Sequence, residues 1–182
     1  MEDKSLPIMK IYTLGSEVLQ SKAEPVGAVN GELIELARSM AETMSSVKGV
    51  GLAAPQVGKS QRLIVVNFPI EQTGIPGLAE DCSCIINPQL SLAGETELLE
   101  EGWLSLPGIE GNVERYRLCE LHAKNLKGEN IVRIFSGLSA RILQHEVDHL
   151  EGILFVDRLG KTSRRLLSRK LKQLRSSWKE ET

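Results

Sequence analysis

A chain of 182 residues and 20.1 kDa is most simply one domain, spanning 1–182, and is long enough to bury a core without crosslinks. Its 41% hydrophobic and 25% charged residues exclude a disordered or fibrous protein, and a net charge of −2 argues against global attraction to nucleic acid. No window approaches the roughly 18 apolar residues of a membrane span, and the opening MEDKSLPIMK holds no apolar run suited to a signal peptide. The expectation is a cytoplasmic protein with no membrane partner, in which Cys82, Cys84 and Cys119 stay reduced thiols.

In chain order, residues 31–46 carry Leu33, Leu36, Ala37, Met40 and Met44 at helical spacing, with Asn30 placed to cap the start and Gly49 just beyond the end. GVGLAAPQVG, residues 49–58, is rich in glycine and interrupted by proline, and reads as a loop. It leads into RLIVVNF, whose β-branched run predicts a buried strand. A Gly/Pro-containing loop follows at 71–81. SCIINPQL then reads as a further strand, and ELLEEGWLSLPG as another that closes on a turn. Alternation through residues 113–135, with a turn at Lys127-Gly128, predicts a hairpin.

LSARILQHEVDHLEG places Leu138, Ile142, Leu143 and Leu150 at helical spacing, with Gly152 able to end the helix. A final amphipathic helix, about 161–179, has Leu167, Leu171, Leu174 and Trp178 on one stripe. From Lys161 onward it holds eight basic residues against Glu180 and Glu181. Strands followed by helices, without βαβ alternation, predict an α+β fold: mostly antiparallel sheet packed around a central helix, with a C-terminal helix beyond it.

That central helix carries His145-Glu146-x-x-His149. Positions i and i+4 turn two imidazoles to one face, within reach of one metal ion, while the carboxylate beside them can take a proton from water. Two histidines alone leave a catalytic site short of a third ligand and of a donor for a developing oxyanion.

Three segments, GVGLAAPQVG at 49–58, EGWLSLPG at 101–108 and QHEVDHLEG at 144–152, resemble in order and spacing the signature segments of the peptide deformylases. INP at 86–88 and AEPV at 23–26 are also similar to that family. The resemblance implies a deformylase-like fold and a hydrolase that removes the formyl group from the N-terminal methionine of nascent polypeptides. It implies His145 and His149 as metal ligands and Glu146 as general base and acid. Gln56 and the backbone N–H of Leu104 would be oxyanion donors, and Gly49, Val50, Gly51 and Leu52 would bind substrate. Glu101 would pair with Arg115 to hold the ligand strand. The implied metal is Fe2+, with Zn2+, Ni2+ or Co2+ as substitutes.

At one position the chain departs from that pattern. The family's second segment reads E-G-C-L-S, with the cysteine as third ligand, and in this chain the residue is Trp103. An indole offers an N–H donor and no lone pair to a metal. Four readings stay open. Another group (Cys82, Cys84, Cys119 or His122) completes the site; two histidines hold a weakly bound metal; the chain is a homologue that binds peptide N-termini or the ribosome without efficient turnover; or Trp103 is a single-base change from cysteine. The basic C-terminal helix adds a candidate partner, ribosomal RNA, beside the alternative of a solvated face.

Overall fold

The computed structural model describes residues 7–13, 15–70, 82–102, 110–160 and 163–168. Its first long element is helix α1, Gly31–Ser46, entered through Asn30, whose side chain accepts a hydrogen bond from Leu33 N. Gly49 N donates to Met44 O and turns the chain out of it. The following segment is more regular than its glycines and proline suggest. Gly51–Ala53 form strand β1, and Ala54–Val57 wind into a single 3-10 turn with Pro55 near its start, where no N–H is needed.

Strands β2 (Leu63–Val66), β3 (Ser83–Gly102), β4 (Glu110–Lys124) and β5 (Asn130–Ser136) complete a five-stranded sheet in the order β1-β2-β3-β4-β5, antiparallel throughout. The two strands expected at SCIINPQL and ELLEEGWLSLPG are one long strand as far as Gly102, and the turn expected to close the second, at 103–108, lies outside the described residues. Register shifts between Ile86 and Gln89 and between Ala93 and Thr96 let β3 bend, so its first residues pair with β2 and the rest with β4. Asn87, at φ +51°, sits in the first shift, and its side-chain amide exchanges two hydrogen bonds with the backbone of Val26. The hairpin from β4 to β5 turns where Gly128 N donates to Asn125 O.

β2 is buried on both faces, which its uninterrupted LIVV run requires. Leu63 and Val65 pack under α1 with Met40, Met44 and Leu52, while Ile64 and Val66 face Ala140, Leu143 and Leu150 of helix α2, Gly137–Leu150. The sheet is thus sandwiched between α1 and α2. Leu138, placed on the apolar stripe by spacing alone, is 70% exposed on the first turn of α2. Gly152 ends α2 at φ +69°, where a Cβ would lie 2.9 Å from the backbone of Gln20.

A short helix α3, Phe155–Arg158, follows, and helical residues resume at 163–168. There Leu167 packs against Leu19, Val113, Leu154, Val156 and Leu159. The 71–81 loop and the C-terminal helix beyond 168 lie outside the described residues. No helix among the described residues is long and apolar enough to cross a membrane.

Candidate active site

α2 is the element that assembles the site, because its inward face carries polar groups where an ordinary core helix would carry leucine. His145 and His149 lie one turn apart with ring centroids 5.4 Å from each other and ring planes at 64°. Glu146 is buried between α2 and β1. A Cβ built on Gly51 would stand 2.3 Å from Glu146 Oε1 and 2.9 Å from its Cγ, so only glycine lets the carboxylate lie against the β1 backbone.

Removal from water pushes the Glu146 carboxyl up to about 7, against the opposing charges of His145 and Arg115. Burial also drives His149 well below its ordinary value, helped by the positive charges of His145 and Arg115, and leaves its ring neutral. A carboxyl that exchanges a proton near neutrality beside a neutral imidazole is the pairing expected of acid–base chemistry.

Gln56 is buried at the end of the 3-10 turn, and its Oε1 accepts from Ala53 N at 2.8 Å. That bond orients the amide and makes Nε2 the end that donates elsewhere. Of the residues expected to bind substrate, Val50 is exposed and Leu52 is turned into the core beneath α1. β1 lies at the edge of the sheet, so this segment offers main chain rather than side chains.

Glu101 and Arg115 are brought together from neighbouring strands as a buried fork: Arg115 Nε donates to Glu101 Oε1 at 3.1 Å and Nη2 to Oε2 at 3.0 Å. Glu101 Oε2 also lies 3.1 Å from His145 Nδ1. Burial would raise the Glu101 carboxyl, but the hydrogen bonds from His145 and Arg115 outweigh it and hold it at about 2. The same balance acts on Arg115, where burial opposes the charge while Glu101 and Asp148 raise its pKa above the usual value.

Several polar residues around this cluster are not singled out by motif reading. Asp148 accepts from Arg115 Nη1 at 2.5 Å and from Arg158 Nε at 2.9 Å, tying α3 to the site. Gln144 pairs with the Tyr116 backbone in both directions and docks α2 on β4. Arg141 reaches Glu101 from the helix. The available signal was a charged or amide side chain on the inward face of an amphipathic helix, where burial demands a partner.

Trp103 and Leu104 lie outside the described residues. Cys82 and Cys84 are buried in the core under α1, where burial pushes the Cys84 thiol far up, and Cys119 is buried on the sheet's other face with its thiol raised to about 11. His122 is exposed beside Glu120. None of these joins the histidines: among the described residues no three His, Cys, Asp or Glu side chains gather as a metal-binding group. The donor set fits a metal through two ring nitrogens, one from His145, whose Nδ1 side is engaged by Glu101, and one from the neutral His149, beside a Glu146 Oε2 that is buried with no hydrogen-bond partner among the described residues.

The family described as polypeptide deformylase matches this chain over residues 8–165. A peptide deformylase of Synechococcus sp. (strain CC9605) is 43% identical over 154 residues, 84% of this chain and 74% of the relative. One of Desulfitobacterium hafniense is 43% identical over 163 residues, 88% of this chain and 100% of the relative. Among solved structures, Arabidopsis thaliana peptide deformylase 1B in complex with an inhibitor superposes with a TM-score of 0.86 at 32% identity, covering 96% of this chain and 94% of that one. The Plasmodium falciparum enzyme gives 0.85 at 33% identity, covering 94% and 98%. With matches of this extent in both sequence and fold, the chain belongs to the polypeptide deformylase family, metal-dependent hydrolases that remove the formyl group from peptides.

Proposed function

We propose that this chain hydrolyses the N-formyl group of N-terminal formyl-methionine on nascent polypeptides, with Glu146 as the proton carrier. The observation that carries this reading is the Glu146 carboxylate, buried against the Gly51 backbone, one residue from His145 and raised to about 7. Water attacks the formyl carbon as Glu146 takes its proton. As the C–N bond breaks, Glu146 hands that proton to the departing amine, releasing formate and a free N-terminus.

Gln56 donates through its amide N–H to the oxygen that gains charge, and the backbone N–H of Leu104 is its companion donor. The segment Gly49, Val50, Gly51 and Leu52, which runs into β1 at the end of the strand order, receives the peptide main chain, as an added strand would. His145 and His149 would hold a divalent ion, Fe2+ in the cell with Zn2+, Ni2+ or Co2+ able to substitute. When bound it supplies a hydroxide nucleophile at neutral pH and Lewis-acid polarisation.

Trp103 stands where the family's third ligand belongs, so metal binding rests on the two imidazoles and is weak. Release of formate from a formyl-Met peptide, followed as Co2+ or Ni2+ is added to metal-free protein, should rise with metal. Absence of turnover at every concentration would favour the second reading, a homologue that binds peptide N-termini without cleaving them, for which the missing ligand is the motivating observation.

Two variants probe the machinery. Gln56→Ala should lower kcat about 10²–10³-fold with little change in KM, the usual cost of one oxyanion donor. Gly51→Ala should lower turnover at least tenfold while costing only roughly 1–3 kcal/mol in denaturant unfolding, since the added methyl displaces a carboxylate rather than breaking the core. A G51A protein as active as the parent would show that turnover does not depend on where the Glu146 carboxylate lies.

The basic segment from residue 161 onward would dock on ribosomal RNA, placing the pocket near emerging chains. Its eight cationic side chains motivate the reading. Co-sedimentation with ribosomes should fall steeply with salt and disappear when residues 161–182 are deleted. Binding that survives the deletion would assign the contact elsewhere.

A further inference from the structure

Arg141 and His145 stand one turn apart on α2, and both reach one carboxylate on β3. Glu101 Oε1 accepts from Arg141 Nη1 at 2.6 Å and from Arg115 Nε at 3.1 Å, while Oε2 accepts from Arg115 Nη2 at 3.0 Å and faces His145 Nδ1 at 3.1 Å. Arg115 approaches within the sheet and is shared with Asp148. Arg141 approaches from the helix that carries the histidines.

The remaining contacts of Arg141 are to main chain. Nη1 also donates to Val113 O on β4 at 3.1 Å, and Nη2 donates to Glu97 O on β3 at 2.6 Å. Three acceptors on two strands are thus pinned to the turn of α2 that precedes His145. The side chain is 9% exposed. A buried guanidinium is a poor device for stability alone, since apolar packing of the same volume often does as well. What it adds is direction: a planar fork of fixed donors sets the plane of the carboxylate it meets. That plane matters because the ionised Glu101 can only accept from His145 Nδ1, so in the neutral ring the hydrogen sits on Nδ1 and the lone pair on Nε2.

We propose that Arg141 is a positioning residue of this site: by clamping Glu101 and the flanking strand backbone to α2, it holds His145 as the Nδ1–H tautomer in one ring orientation. The consequence for metal affinity rests on the reading of His145 as a ligand; the consequence for the ring does not. Arg141→Met keeps the aliphatic stem and removes the fork, while Arg141→Lys keeps the charge without the planar geometry and serves if R141M folds poorly.

The test has two readouts. Side-chain ¹⁵N–¹H spectra of metal-free protein, which has only three histidines to assign, report the His145 tautomer. Co2+ titration, on the native chain and on a Trp103→Cys background, reports affinity. The expected result is a single Nδ1–H species in the parent, a mixed or broadened one in R141M, and Co2+ binding weakened about 10–100-fold, with R141K between the two. Folded variants with an unchanged His145 tautomer and unchanged Co2+ affinity would overturn the proposal and leave Arg141 a structural residue. If Co2+ binds neither background, the ligand reading of His145 fails, and the tautomer comparison alone decides the role of Arg141.

Discussion

Replacing Trp103 by cysteine is expected to raise divalent-metal affinity by about a hundredfold or more and to raise deformylase turnover with it. The magnitude follows from ligand chemistry. Structural zinc sites with four protein ligands bind with roughly 10–16 kcal/mol, or roughly 3 kcal/mol for each ligand. A thiolate is the ligand that a site of two imidazoles would lack, and its softness would also select among Fe2+, Zn2+, Ni2+ and Co2+. A cobalt titration of the W103C protein, read through thiolate-to-metal charge-transfer absorption and compared with the native chain, measures the effect. Equal affinity in both would mean that another group supplies the third bond. Tight binding without formate release would place the defect elsewhere in the pocket and support the binding-only reading.

The second large effect belongs to Glu146. On the W103C background, where turnover is easiest to read, Glu146→Gln should reduce formate release about 10²–10⁴-fold, the range of positioned acid–base catalysis. Cobalt content should not change, because the histidines are untouched. Activity within tenfold of the parent would remove Glu146 as the proton carrier.

The same substitution has a signature in stability. In metal-free protein the Glu146 carboxyl titrates near 7 when folded and near the ordinary 4.5 when unfolded, so the folded state holds the extra proton between these values. Its contribution is fully present below pH 4.5 and is lost as pH rises through 7. At about 1.4 kcal/mol per pH unit the loss amounts to roughly 3 kcal/mol, which E146Q should not show. His149 works in the opposite sense: with its folded pKa depressed by burial, it withdraws stability as pH falls below 6.5. Urea unfolding of parent and E146Q across pH 4.5–8 isolates the carboxyl contribution. Parallel curves would show that Glu146 is not held near neutrality.

Local pattern sufficed for much of this chain. Periodicity places α1 at its observed residues because its apolar stripe and its Asn30 cap act within the helix itself. It places α2 for the same reason, and the i, i+4 geometry of His145 and His149 follows from any helix at that position. Glycine and proline content misleads at 49–58, because β2 supplies the ladder that makes Gly51–Ala53 a strand despite weak intrinsic preference. Alternation suggests two strands where one exists, since the shifts at Ile86–Gln89 and Ala93–Thr96 interrupt the pattern without ending the pairing.

What the sequence by itself determined is therefore helices α1 and α2, the buried β2 run and the i, i+4 placement of His145 and His149 on one face of α2. All of these depend on neighbours within a few residues. Only tertiary structure decided how far the site extends. Glu101, Arg115, Arg141 and Asp148 are scattered between residues 101 and 148, and they become one buried network, joined from its rim by the exposed Arg158, because β3, β4, α2 and α3 converge there. The placement of Gly51 against Glu146 and the near-neutral carboxyl it encloses have the same origin. Burial is set by what the rest of the chain packs around a group, and burial is what raises an ordinary glutamate carboxyl towards neutral pH.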